Sequence, residues 1–70
     1  MSTIVELRSA LGWTQSYLAQ QARLTPNTVR KAEQGEAVSA ATARAIAEAL
    51  SKAYGRLILV KDLDGLNVTF

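Results

Sequence analysis

The residues of this chain that could do chemistry are amides and cations. Between Trp13 and Gly35 stand Gln15, Arg23, Asn27, Arg30 and Lys31, against a single acid, Glu33. Nucleophilic and metal chemistry lack their usual carriers. The chain has no cysteine and no histidine, which removes disulfides and nearly every common zinc arrangement, and the serines at 2, 9, 16, 39 and 51 have no base at a suggestive spacing. A 70-residue chain also leaves little room for a water-excluding pocket. No catalysis, metal, cofactor or small-molecule ligand is therefore expected. Eight Lys and Arg against six Asp and Glu give a formal charge of only +2. Bulk electrostatics thus favour a polyanion weakly, and the local cationic character of the segment from Trp13 to Gly35 matters more.

Two short helices must position these groups. Thr14 is a capping residue, and Leu18, Ala19 and Ala22 fall on one face of the helix that follows it. Leu24 packs in the connector. A second start follows at once: Thr25 caps, Pro26 occupies the first helical position, where no amide proton is needed, and Val29 and Ala32 form the inward stripe. Ala19 is informative because it is small. Helices crossing steeply over a turn of about 3–4 residues need a small side chain at the crossing. Such a pair can lay its second helix in the major groove of DNA.

The flanking segments read as supports. Helix 1 runs from about Thr3 to Ala10, with Ser2 or Thr3 as cap, Ile4, Leu7 and Leu11 at helical spacing, and Gly12 as the stop. Gly35 closes helix 3, Glu36 to Val38 form a short loop, and helix 4 begins after Ser39. Its inward face carries Ala43, Ile46, Ala47, Leu50 and Ala53 or Tyr54, with Arg44, Glu48 and Lys52 opposite. At Gly55 the period changes. Arg56 to Val60 is an apolar β-prone run, Asp62 to Gly65 is turn chemistry, and Leu66, Val68 and Phe70 alternate with Asn67 and Thr69, which predicts a β-hairpin. Two strands alone are marginal in water, so the helical body is expected to cover one face of the hairpin, and the other face or an open edge is expected to pair with a second copy across a twofold axis through Leu57, Leu59, Leu66, Val68 and Phe70. The expected fold class is mainly α: four helices over residues 1–54, followed by a hairpin tail over 55–70 within the same domain.

The stretch LRSALGWTQSYLAQQARLTPNTVRKAEQG resembles the helix-turn-helix domains of phage repressors and Cro proteins, also called the XRE family. Gln15 after the capping Thr14, the small Ala19, the aliphatic Val29, then Glu33 and Gly35 carry the resemblance, which covers roughly Ile4 to Leu50. It implies a dimer that binds double-stranded DNA with helix 3 in the major groove, usually to repress transcription. In that frame Asn27, Thr28 and Lys31 are the base readers: an amide can pair bidentately with adenine, a threonine can meet a thymine methyl, and a lysine suits the acceptors of guanine. Gln15 is similar to the residue that clamps a phosphate at the start of helix 2. Arg30 can reach a base or a phosphate, with phosphate favoured, and Tyr17 faces outward within reach of a phosphate or as a plain surface residue. The register also brings Arg8 and Glu33 together as a partly buried ion pair with a structural role. Trp13 is a packing residue rather than a stacking platform. Two positions depart from the family pattern. Pro26 stands where some members carry a base-reading amide, and Arg23 stands in the turn where glycine is common, at a cost of about 1–2 kcal/mol if the backbone is left-handed.

The functional expectation is a dimeric repressor reading a pseudo-palindromic operator with half-sites about one helical turn apart. One alternative is an antitoxin that represses its own promoter and binds a toxin. Another is a protein-interaction module that keeps the geometry without DNA. The longest strongly apolar run, Leu57 to Val60, is far short of the roughly 20 residues of a membrane helix, and the amino terminus lacks signal-peptide character, so a cytoplasmic protein without membrane partners is expected.

Overall fold

A computed structural model describes residues 2–69 of the chain. Phe70, expected at the dimer contact, lies outside the described residues. The order of elements is β1 (Ser2–Thr3), α1 (Ile4–Ala10), α2 (Gln15–Ala22), α3 (Pro26–Glu33), β2 (Ala37–Ser39), α4 (Ala40–Tyr54), a single 3-10 turn (Val60–Asp62), β3 (Leu63–Asp64) and β4 (Asn67–Thr69).

Each α-helix starts on a hydroxyl that accepts the amide proton three residues on. Thr3 accepts from Glu6, Thr14 from Tyr17 and Ser39 from Thr42, each at 3.1 Å, and Thr25 accepts from Thr28 at 3.3 Å. At α1 the Glu6 carboxylate returns the bond to the Thr3 amide, completing a capping box. The first three helices also end alike. The Trp13 N–H reaches the Arg8 carbonyl (3.1 Å), Leu24 that of Ala19 (2.8 Å) and Glu36 that of Lys31 (3.0 Å), each around a residue of positive φ. Two of those residues are Gly12 and Gly35. The third is Arg23, at φ 58° and ψ 42°, the one non-glycine with positive φ among the described residues.

The core gathers one face from every helix. Ile4 and Leu7 of α1, Leu18, Ala19 and Ala22 of α2, Val29 and Ala32 of α3, and Ala43, Ile46, Ala47, Ala49 and Leu50 of α4 are buried together. Ala19 is 1% exposed, and its small side chain is enclosed in the core where α2 and α3 pack. In α4 the last inward position is Tyr54, whose hydroxyl donates to the Leu7 carbonyl at 2.6 Å; Ala53 is exposed.

The tail departs from the hairpin. Its two strands do not pair with each other: β3 pairs parallel with β1 (Ser2 opposite Leu63, Thr3 opposite Asp64), and β4 pairs parallel with β2 (Ala37 opposite Asn67, Val38 opposite Val68, Ser39 opposite Thr69). The segment after Glu36, read as a loop to Val38, is therefore in part a strand. The run Arg56 to Val60 is not a strand either. Ser51 Oγ donates its single proton to the Ala47 carbonyl at 2.7 Å and accepts the Ile58 N–H at 2.8 Å, with the Ile58 carbonyl 3.1 Å away, so the centre of that run is tied to α4. Asp62 then folds the chain back by bonding the Leu59 amide (3.1 Å). Ile58 and Leu63 enter the core, with Leu66 and Val68 packed half-buried against it. The tail is thus bound to the helical body rather than standing free.

Candidate nucleic-acid interface

On α3 the core takes Val29 and Ala32, which leaves Asn27, Arg30 and Lys31 exposed on the opposite side. Gln34, the C-cap of α3, is exposed seven residues beyond Asn27 and extends this ridge by a turn. It was not among the sequence candidates, although the spacing of i, i+4 and i+7 from Asn27 would have found it. Thr28 sits differently. It is half-buried, with its hydroxyl 2.8 Å from that of Thr25, so its side chain serves the helix start rather than the outer ridge. Asn27 and Arg30 are joined: Arg30 Nη2 donates to Asn27 Oδ1 at 2.6 Å.

Beneath the start of α2 lies a polar cluster that ties three elements together. Arg8 donates through Nε to Glu33 Oε2 at 2.7 Å and through Nη2 to Glu33 Oε1 at 3.2 Å, a two-point contact between α1 and α3. Arg8 Nη1 also donates to the Trp13 carbonyl at 2.8 Å, holding the turn into α2. Gln15 Nε2 donates to Glu33 Oε1 at 2.8 Å. The side chains of Arg8 and Glu33 are 15% and 5% exposed, so the pair is largely removed from water. Sequence reasoning did not reach the Trp13 carbonyl or the Gln15 amide, because main-chain acceptors and side-chain rotamers leave no mark in residue types.

This cluster fixes how Gln15 can act. A carboxylate accepts only, so the glutamine must turn Nε2 inward and leave Oε1 and one amide proton outward. Gln15 is also the first residue of α2, where main-chain N–H groups have no intrahelical partner and the helix dipole favours an anion. Tyr17 is 44% exposed and meets the half-buried Trp13 edge to face at 4.9 Å between ring centroids. Trp13 packs against the core. Arg23 is exposed at the end of α2.

Of the residues expected at a dimer contact, Leu57 is 74% and Leu59 40% exposed, whereas Leu66 and Val68 are half-buried within their own chain. Leu57 and Leu59 border an open apolar groove against α4, formed with Ala47 and Val60 and rimmed by Arg44, Lys52, Lys61 and Glu48. The Thr3 main-chain N–H, and then the Thr3 hydroxyl, hold the Glu6 carboxyl below the ordinary carboxylate value. Among the described residues, no group of histidine, cysteine and acidic side chains is placed to hold a metal, and no helix is long and apolar enough to cross a membrane.

Two capped helices, α2 and α3, closed over Ala19, with α1 braced against α3 by a partly buried ion pair, define a helix-turn-helix domain. A helix-turn-helix family model matches residues 4–55, and the chain belongs to that family, the XRE-type group of DNA-binding transcription regulators. No curated protein and no solved structure matches the chain.

Proposed function

We propose that this chain is a sequence-specific transcriptional repressor that binds a pseudo-palindromic operator as a dimer, with α3 in the major groove. The observation that carries the reading is the outward ridge of α3, where Asn27, Arg30 and Lys31 are exposed while Val29 and Ala32 anchor the opposite face in the core. Asn27 and Lys31 address base edges, with Thr28 at the side of the helix start. Arg30 and Arg23 address phosphates, as does Tyr17, exposed on α2. Gln15 contributes its free amide proton and its main-chain N–H to a phosphate at the start of that helix. Leu57 and Leu59, exposed on the tail, supply the contact that joins two copies, with Leu66 and Val68 supporting them from within each subunit.

The test is enrichment of bound duplexes from random DNA, followed by titration across salt concentrations. The expected result is two inverted half-sites about one helical turn apart. Lys31→Ala should relax one base position, and Arg23→Ala should weaken all duplexes alike and lower the salt slope by about one. Weak binding to every duplex, indifferent to salt, would remove the proposal.

One observation favours a second use of the tail. The groove beside Leu57 has a rim of three cations and one acid, which suits an acidic amphipathic segment of another protein better than a second cationic rim. An antitoxin that both binds its promoter and holds a partner would use it so. Sedimentation of the isolated chain separates the two: a dimer that dissociates on Leu57→Ser supports self-association, and a monomer at all concentrations supports the heterologous partner.

A further inference from the structure

We infer that Arg30 sets the base preference of Asn27, making the Asn27 position at the start of α3 a donor surface matched to guanine rather than adenine. The inference rests on the DNA-binding reading above and concerns what that site recognises. An asparagine reads adenine by accepting from N6 through Oδ1 while donating to N7 through Nδ2. Here the acceptor half of that pair is engaged, because Arg30 Nη2 donates to Asn27 Oδ1 at 2.6 Å. The orientation of the amide is not arbitrary. A guanidinium has five donors and no acceptor, so only the oxygen of Asn27 can face it, and Nδ2 must point outward.

The second lone pair of Oδ1 does not restore adenine reading. An amino group entering there would bring partially positive hydrogens beside a guanidinium on the same oxygen. Guanine presents the opposite pattern, with N7 and O6 both acceptors, and it is drawn to the same charge. The neighbouring groups agree. Lys31, exposed one turn on, offers three donors and no acceptor. Thr28, whose hydroxyl could have accepted, is turned to Thr25 Oγ1 at 2.8 Å. Pro26 has no amide side chain to supply an acceptor at the tip. Apart from the Thr28 hydroxyl, the polar groups that α3 turns outward between Pro26 and Lys31, Asn27 Nδ2, Arg30 and Lys31, are therefore donors. Arg30 keeps its remaining N–H groups for a phosphate, so one side chain can both clamp the backbone and orient the reader beside it.

The experiment compares the bases enriched by the wild type, Asn27→Ala and Arg30→Ala, and measures the free proteins in parallel. The position that Asn27→Ala relaxes should carry guanine in the wild-type half-site, favoured over adenine by roughly tenfold. Replacing that base by 7-deazaguanine should weaken binding. Arg30→Ala frees Oδ1, so the preference there should swing toward adenine even as overall affinity falls, which the ratio of the two duplexes reads independently of affinity. Without DNA, the Asn27 side-chain amide should be ordered by nitrogen relaxation and become mobile in Arg30→Ala. Adenine at that position in the wild type, or a guanine preference that Arg30→Ala leaves unchanged, overturns the inference while leaving DNA binding intact. An amide already mobile in the wild-type protein overturns it too. Failure to enrich any duplex overturns the DNA-binding reading itself, and this inference with it.

Discussion

Replacing Glu33 with alanine should destabilise this protein more than almost any other polar substitution. The Glu33 carboxylate is 5% exposed and takes three bonds, two from Arg8 at 2.7 and 3.2 Å and one from Gln15 at 2.8 Å. In its absence Arg8 keeps only the Trp13 carbonyl, and a guanidinium 15% exposed is left with two donor groups unpaired. Breaking one side of a buried ion pair costs about 3–5 kcal/mol, because the remaining charge loses its partner without regaining water. The partial exposure of Arg8 admits some solvent, which places the expectation at about 3 kcal/mol. A chain of this length has a total stability on the order of 3.5–10 kcal/mol, so the loss is a large share of it. Thermal unfolding followed by circular dichroism should show a midpoint lower by roughly 12–24 °C, at about 4–8 °C per kcal/mol for a small domain. Urea titration gives the free energy directly. The decisive comparison is the cycle with Arg8→Met: the double variant should cost about 2 kcal/mol less than the sum of the singles, since removing both charges strands neither. A Glu33→Ala cost below about 1 kcal/mol, or single costs that simply add, would refute the reasoning.

Three further outcomes follow from particular contacts. Arg23→Gly should raise stability by up to about 1 kcal/mol by relieving a left-handed residue, while weakening DNA binding if the side chain meets a phosphate; a stability decrease in urea titration would contradict the backbone argument. For Glu6 the sign follows from a folded-state pKa depressed by the Thr3 N–H: its stabilising contribution is complete above the unfolded carboxylate value and is lost as pH falls through the lower folded value. Urea midpoints of wild type and Glu6→Gln should thus converge on the acid side and separate above it, and parallel curves would count against the capping box. Leu57→Ser with Leu59→Ser should shift sedimentation toward monomer without lowering monomer stability by more than about 2.5 kcal/mol, because Leu57 is 74% and Leu59 40% exposed within one chain; an unchanged dimer would move the interface elsewhere. Deleting the tail cannot serve this purpose, since Ile58 and Leu63 belong to the core.

Much of the helical half was legible because its signals are local. A hydroxyl at Thr14, Thr25 or Ser39 meets an amide three residues away, whatever the rest of the chain does. The inward stripes of α2 and α3 were readable for the same reason, as were the stops at Gly12 and Gly35. The outer ridge of α3 could be named, but not its internal bonding. That Arg30 would hold Asn27, or that Thr28 would turn to Thr25, depends on which rotamers neighbouring side chains select, and residue types do not show that. The tail failed for a different reason. Leu66, Val68 and their neighbours alternate as a strand should, but alternation says nothing about which strand lies alongside.

By itself the sequence determined the four helices, their caps, the close crossing at Ala19 and the cationic outer face of α3, because each follows from contacts within a few residues. Tertiary structure alone decided that the tail completes the body instead of making a hairpin. The unpaired backbones of Ser2–Thr3 and Ala37–Ser39 lie where β3 and β4 can add to them, and Ser51 accepts the N–H of Ile58. A two-strand hairpin in water leaves much of its apolar surface uncovered, whereas a tail laid on an existing core buries Ile58 and Leu63 and pairs β3 and β4 with β1 and β2. Burial against distant elements outweighed the local pairing of two strands across Asp62 to Gly65.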